Sequence, residues 1–242
     1  MRSCGTGRRR RPNVRALCGG GNGPLGSARR HSLRDAPPSM FDRLLRPVKE
    51  RALAPAARVL ARHASPNALS LAAFAFGVAA AIAAARGAWA FALGAWALNR
   101  LLDGLDGTAA RTSGRATDFG GYLDIVLDTA VYTLLPLGVA LGVGTDAAYL
   151  AVAVLLGSFY VNGATWMYLA AVLEKRNAGA AARDEMTSVT MPGGLVEGAE
   201  SLVLFSLMLL FPAYAVALFL AMAALVAVTA LGRVACAARA LR

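Results

Sequence analysis

The chain has 242 residues, of which 57% are hydrophobic, and a mean hydropathy of +0.52, which soluble domains of this length rarely reach. The formal net charge of +11 is concentrated at one end, because residues 1–39 hold nine arginines and a single acid. That distribution argues against nucleic acid as a partner, and the three cysteines show no paired metal-ligand spacing and imply no disulfide framework.

Residues 1–39 are rich in Arg, Gly, Pro and Ser and show almost no apolar periodicity, so we expect a disordered tail. The arginine run at 8–11 also suits anionic lipid headgroups, and an Arg-rich transit peptide is a second alternative. A third interpretation is an upstream start assignment, since the sequence from Met40 onwards looks like a natural N-terminus.

Residues 40–64 form a juxtamembrane segment in which apolar and basic residues alternate, and Pro47 and Pro55 divide it into short pieces. This pattern predicts an amphipathic helix that lies in the membrane interface. The alternative is a purely solvated helix, which the density of apolar residues disfavours.

Six apolar segments follow within residues 65–242, at roughly 67–85, 88–109, 119–143, 147–172, 197–211 and 213–233. Several of them approach the ~20 residues that a spanning helix needs. Ser65 is the predicted N-cap of the first helix, with Pro66 at its first position. The sequence therefore predicts an all-α polytopic membrane protein, with six transmembrane helices preceded by the interfacial helix. Residues 65–242 would form its catalytic domain.

Basic residues divide unequally between the loops. They occupy the segment before the first helix, the 110–118 loop, the 174–196 loop and the C-terminus, whereas the opposite loops offer Arg86. Lys and Arg are retained on the cytoplasmic side of a membrane. We therefore expect both termini and the active site to face the cytoplasm, with a bacterial inner membrane as the expected location.

Four aspartates, Asp103, Asp106, Asp124 and Asp128, lie within or beside the second and third apolar segments. An ionised carboxylate near hydrocarbon is costly unless it is paired, metal-bound or water-facing. At about 100° per residue, the first two share one helix face and the last two share another. No lysine lies near them in the sequence, so we expect divalent cations to balance the charge. Oxygen ligands favour hard ions, and two Mg²⁺ or Mn²⁺ would neutralise four carboxylates.

Small and basic residues accompany these acids. Gly107 and Ala110 share the face of the first two aspartates and leave room for a nucleotide, although close helix packing is the alternative interpretation. Arg111, at the edge of that face, either contacts a phosphate or marks the cytoplasmic boundary.

The stretch from Asp103 to Asp128 reads D-x2-D-G-x2-A-R-x8-G-x3-D-x3-D. At every fixed position it resembles the signature of the CDP-alcohol phosphatidyltransferase family. The resemblance implies a membrane transferase of phospholipid biosynthesis, which moves a phospho-alcohol group, expected to be phosphatidyl, from its CDP derivative to an acceptor hydroxyl and releases CMP. It also implies that Asp103, Asp106 and Asp124 are the core metal ligands, and that Asp128 is the general base with metal contact as well. The implied substrate-binding residues are Gly107, Ala110, Arg111 and Gly120.

The same resemblance implies the partners. They are a CDP-alcohol donor, expected to be CDP-diacylglycerol, an acceptor alcohol or alcohol phosphate, membrane lipid, and a second copy of the chain in a homodimer. Two other functions stay open from the residues alone. Intramembrane carboxylates also mark ion or proton transporters, although those place acids near the bilayer midplane, often on broken helices. An inactive scaffold of the same fold is the other alternative, and the complete motif argues against it.

Three further polar residues are weaker candidates for the acceptor site or for its hydrogen-bonding surroundings: Asn67, Glu197 and Glu200. Asn67 equally suits a helix-start hydrogen bond, and Glu197 suits an interfacial acid favoured by the helix dipole. Arg100, one turn before Asp103, either pairs with an acid or extends towards the interface.

Overall fold

The computed structural model describes residues 55–57, 60, 64–176 and 198–241, apart from the side chains of 198, 239 and 240. Within these ranges the chain forms helices and no β-strand. The six long helices are α1 (Pro66–Ala85), α2 (Trp89–Thr112), α3 (Asp118–Val143), α4 (Asp146–Lys175), α5 (Gly198–Leu210) and α6 (Ala215–Ala240). A 3₁₀ turn, Pro212–Tyr214, separates α5 from α6. The predicted all-α architecture is confirmed.

Polar residues fix where the helices begin. The side chain of Ser65 accepts a hydrogen bond from the backbone N–H of Ala68, and Pro66 follows it in the first turn. Thr117 and Thr145 cap α3 and α4 in the same way. Such caps satisfy backbone donors that a helix leaves unpaired at its start. The turn between α3 and α4 begins at Gly144, whose φ of 68° lies in the left-handed region that favours glycine.

Four of the described helices are long and apolar enough to cross a membrane: α1, α3, α4 and the segment Pro212–Ala238, which contains most of α6. The α2 helix has a polar C-terminal half that carries the first two aspartates, and α5 has 13 residues. The chain is therefore an integral, polytopic membrane protein, and its four motif aspartates lie on one helix pair, α2 and α3.

The α1 helix packs against both α2 and α3, and its contacts with α3 include two glycine positions. A Cβ added at Gly138 in α3 would collide with the backbone carbonyl of Ala81 in α1. A Cβ at Gly77 in α1 would press against Val131 in α3. Small residues let membrane helices approach closely. As a result of this packing, the α2 and α3 faces that carry the aspartates lie beside α1.

Aromatic side chains connect α2 and α3 to α5. Phe205 of α5 is fully buried, with ring centroids 5.5 Å from Trp96 and 5.2 Å from Tyr132. The Trp96 indole also donates a hydrogen bond of 3.1 Å to Ser206. These contacts pack α5 against both α2 and α3 through Trp96 and Tyr132.

Some sequence predictions fall on residues that the structure does not describe. They include the 1–39 tail, most of the 40–64 segment and Glu197. Residues 55–57 and 60 of this segment are helical, and Ala57 and Leu60 pack with Leu69 of α1 and Leu105 of α2.

Candidate metal centre

The four aspartates line one small cavity between α1, α2 and α3. Asp103 and Asp106 enter it from α2, one turn apart, and Asp124 and Asp128 enter it from α3, also one turn apart. The remaining lining residues are Ser70, Ala73, Phe74, Asn99, Arg100, Leu127 and Val131. The spacing of the acids in the sequence thus places two carboxylates on each of two facing helices.

Burial differs among the four acids. Asp106 is 4% exposed, whereas the side chains of Asp103 and Asp128 are 26% and 31% exposed. Asp124 is exposed. The cavity therefore has one enclosed carboxylate and three that a soluble ligand can reach.

Asp106 is held by hydrogen bonds from two directions. The Ser70 hydroxyl of α1 donates to its Oδ2 at 2.6 Å, and the Gly107 backbone N–H lies 2.5 Å from its Oδ1. Hydrogen bonds to an ionised carboxylate are stronger than those between neutral groups. Ser70 is itself 8% exposed, so this link fixes the deepest acid against α1.

Arg100 supplies a positive charge inside the cavity. Its Nη2 lies 2.5 Å from Oδ1 of Asp128, and its Nη1 lies 3.6 Å from Oδ2 of Asp103. The side chain is only 12% exposed, so it pairs with acids and does not extend to the interface. Of the two alternatives for Arg100, pairing with an acid is therefore confirmed, and its charge balances part of the negative charge of the carboxylates.

Residues of three helices fix the guanidinium of Arg100. Its Nε donates to Asn99 Oδ1 at 2.7 Å, and Asn99 Nδ2 donates to the Ala73 carbonyl of α1 at 2.7 Å. The guanidinium carbon lies 4.7 Å from the centre of the Trp96 ring and 5.4 Å from that of Tyr132. These distances are typical of cation–π contacts.

The predicted substrate-binding residues are not among the residues that line the cavity, and they lie on α2 and α3 within two helical turns of the aspartates. A Cβ at Gly107 would meet the guanidinium of Arg111 at 3.2 Å, so this exposed arginine folds back over the glycine. A Cβ at Gly120 would meet Asn67 Oδ1 at 3.2 Å, which places the Asn67 amide beside the first turn of α3. Ala110 is partly buried on α2. A larger residue at either glycine would therefore displace a polar side chain.

The structure does not bring every candidate to the cavity. Glu200 is partly buried in the first turn of α5 and is not among the residues that line the cavity. Glu197 lies outside the described residues.

The donor set fits a hard divalent cation, but the carboxylates do not converge as they stand. Among the described residues, no three His, Cys, Asp or Glu side chains are grouped closely enough to hold a metal ion. The ion-pair and hydrogen-bond partners of the carboxylates explain this arrangement. Arg100 faces Asp103 and Asp128, and Ser70 and the Gly107 amide hold Asp106. Four carboxylates that share one cavity are nevertheless the oxygen ligands that Mg²⁺ and Mn²⁺ prefer.

Sequence reasoning missed three residues that position the site: Ser70, Asn99 and Tyr132. Each is a polar residue in a largely apolar helix. A buried polar side chain needs a partner, so each carries a weak signal of a hydrogen bond. The partner itself depends on how the helices cross.

Two comparisons of sequence relate the chain to known proteins. The profile of the CDP-alcohol phosphatidyltransferase family matches residues 63–238. The inner membrane protein YnjF of Escherichia coli (strain K12) is 40% identical over 179 residues, which cover 72% of this chain and 84% of YnjF. Archaetidylinositol phosphate synthase of Pyrococcus horikoshii is 38% identical over 68 residues, covering 27% of this chain and 35% of that enzyme.

Solved structures of Mycobacterium tuberculosis phosphatidylinositol phosphate synthase share the fold. The structure with CDP-DAG bound has a TM-score of 0.61 and 20% identity, and the match covers 76% of this chain and 92% of that one. The structure in complex with manganese and citrate has a TM-score of 0.60 at the same identity, covering 76% and 88%. At this identity the likeness concerns the fold.

Proposed function

Because the chain belongs to the CDP-alcohol phosphatidyltransferase family, we propose that it transfers a phosphatidyl group from CDP-diacylglycerol to an acceptor hydroxyl and releases CMP. The observation that carries the proposal is the cavity in which all four aspartates of the signature meet. Family membership makes the chain a transferase of phospholipid biosynthesis. Family membership therefore favours the transferase over the ion transporter that the carboxylates alone left open.

The four aspartates have distinct proposed roles. Asp103, Asp106 and Asp124 would hold divalent cations, Mg²⁺ or Mn²⁺ and two in number, with Asp128 as a shared ligand. Such ions polarise a phosphoryl oxygen and neutralise the pyrophosphate when bound. A solved relative in complex with manganese supports this choice of ion.

Asp128 is the proposed general base. Arg100 engages its Oδ1 at 2.5 Å, which leaves Oδ2 to accept a proton from the acceptor. As the acceptor oxygen forms a bond to the β-phosphorus, the bond from that phosphorus to the CMP oxygen breaks, and the proton goes to Asp128. The carboxylate is only partly exposed, which limits competition from bulk water.

We propose that the nucleotide binds at the mouth of the cavity, formed by the residues next to the aspartates on α2 and α3. Arg111 is exposed and lies over Gly107, where its guanidinium can pair with a phosphate. The small residues Gly107 and Ala110 would let the nucleotide lie against α2, and Gly120 would do the same on α3. Asn67 lies beside Gly120 and is proposed to hydrogen-bond the nucleotide or the acceptor, whereas Glu200 and Glu197 are proposed as acceptor-side residues.

The proposed topology places this mouth in the cytoplasm. Arg111 precedes the α2–α3 loop and Arg115 lies within it, and the other loops expected on that side are also rich in basic residues. Soluble acceptors and CMP would enter and leave there, while the acyl chains of the donor stay in the bilayer. We also propose a homodimer, which rests on family resemblance.

Mass spectrometry of extracted lipids tests the proposal. Overproduction of the chain in a bacterial host should raise one phospholipid class and lower CDP-diacylglycerol. The matched control is Asp106→Asn, which keeps the size of the buried side chain and removes a proposed ligand charge. Identical lipid profiles for the chain and its variant, at equal amounts in the membrane, would contradict the proposal.

A further inference from the structure

Arg100 occupies the position among the carboxylates where a cation is expected. It approaches one carboxylate of each pair, Asp103 on α2 and Asp128 on α3, and so bridges the two helices that supply the acids. Because these two acids face the guanidinium and Asp106 faces Ser70, the four carboxylates line one cavity without converging. The arginine thus neutralises part of the charge that a divalent ion would otherwise neutralise.

The surroundings of Arg100 hold it in place. Asn99, which is 1% exposed, accepts from its Nε and is anchored to the Ala73 carbonyl of α1. Trp96 and Tyr132 cover the guanidinium with their rings. An arginine that serves only to satisfy a carboxylate needs none of these further contacts, so the network fixes the direction of its charge.

We propose that Arg100 is a positioning residue that competes with the divalent cation for Asp103 and Asp128, and thereby sets the cation affinity of the centre. The inference rests on the proposed function in taking these aspartates as ligands. With Arg100 paired, the centre is stable without metal. Binding of the ion would weaken the pairing of Asp103 and Asp128 with the guanidinium and would change the position of the guanidinium beside the rings of Trp96 and Tyr132.

Electrostatics fixes the direction of the effect. A positive charge within hydrogen-bonding distance of a ligand carboxylate opposes a second cation on that carboxylate. Removal of one unit charge from a partly buried site should tighten cation binding by about tenfold or more. The uncharged variant should also be less stable than the parent protein without metal, because it removes the positive charge beside two acids.

Two variants separate charge from structure. Arg100→Gln removes the charge, whereas the matched control Arg100→Lys keeps the charge and loses the planar fork. Free Mn²⁺ would be measured by electron paramagnetic resonance while the full chain in detergent micelles is titrated. Arg100→Gln should bind Mn²⁺ about tenfold or more tighter than the parent, and Arg100→Lys should stay within about threefold of it. Unchanged or weaker binding by Arg100→Gln, or equal tightening in both variants, would overturn the proposal.

A second measurement leaves the centre intact and covers the case in which Arg100→Gln does not fold. Replacing Trp89 and Trp166 by Phe leaves Trp96 as the single tryptophan, whose ring lies 4.7 Å from the Arg100 guanidinium. Addition of Mg²⁺, which does not quench fluorescence itself, should change the Trp96 emission in a saturable way as the guanidinium shifts. Emission that stays constant while Mg²⁺ raises the melting temperature would show that Arg100 does not yield to the ion.

The two proposals fail separately. A protein that binds Mn²⁺ with the predicted dependence on Arg100 but releases no CMP from CDP-diacylglycerol would refute the proposed function and support the competition. A protein that releases CMP while its Mn²⁺ affinity ignores the charge at position 100 would refute the competition alone.

Discussion

Replacing Asp128 or Asp103 by Asn separates a proton acceptor from a metal ligand. Asn keeps the size of Asp and its carbonyl oxygen still accepts a hydrogen bond from Arg100, so Asp128→Asn should fold. It cannot take a proton, and general-base contributions are typically ~10²–10⁴-fold. Turnover of CDP-diacylglycerol should therefore fall by about that range, while its affinity falls less than in Asp103→Asn because the three proposed core ligands remain.

The matched variant Asp103→Asn should behave differently. Asp103 lies 3.6 Å from Arg100, whereas Asp128 lies 2.5 Å from it, so Asp103 makes the longer of the two contacts with the arginine. Loss of its charge should weaken Mn²⁺-dependent binding of the CDP-alcohol along with turnover. Affinity would be measured by isothermal titration and turnover by CMP release. Equal losses of nucleotide affinity in the two variants would make Asp128 chiefly a metal ligand and refute its assignment as the base.

Three other substitutions test the packing, the deepest acid and the topology. Gly138→Ala should lower the free energy of unfolding by about 1–3 kcal/mol, because its Cβ collides with the α1 backbone. The control Gly157→Ala, whose Cβ would have nothing within 4 Å, should not destabilise the protein. Equal effects of the two substitutions would refute the close approach of α1 and α3. Ser70→Ala should cost about 1.5–3 kcal/mol in chemical denaturation, since it removes a buried hydrogen bond to a carboxylate, and an unchanged midpoint would contradict that role. The topology would be tested in a chain without its native cysteines. An impermeant maleimide should label Ala116→Cys from the cytoplasmic side and Ala147→Cys from the other side. Labelling of both variants from one side would refute the topology.

The helices and the acid motif could be predicted from the sequence because their signals are local. Runs of apolar residues mark the helices, Ser65 marks the start of α1, and Pro212 interrupts the chain between α5 and α6. The spacing of three or four residues between aspartates predicts shared helix faces, and the structure places all four around one cavity.

The partners of the acids could not be predicted because they come from distant parts of the chain. Ser70 precedes its partner Asp106 by 36 positions, and Arg100 precedes Asp128 by 28. The first contact depends on how α1 packs against α2 and the second on how α2 packs against α3, and hydropathy reveals neither. The polar residues were visible in the sequence, but their directions were set by packing.

Release of CMP from CDP-diacylglycerol by the purified chain tests the central claim most directly. The assay would compare lipid vesicles containing the protein with Mn²⁺, with excess chelator, and with chelator followed by Mn²⁺ in excess. The account predicts CMP release with Mn²⁺, its loss in chelator and its return on readdition, and no release by Asp106→Asn under any condition. Undiminished release in excess chelator, or equal release by the variant, would contradict transfer at a divalent-metal centre built from these four aspartates.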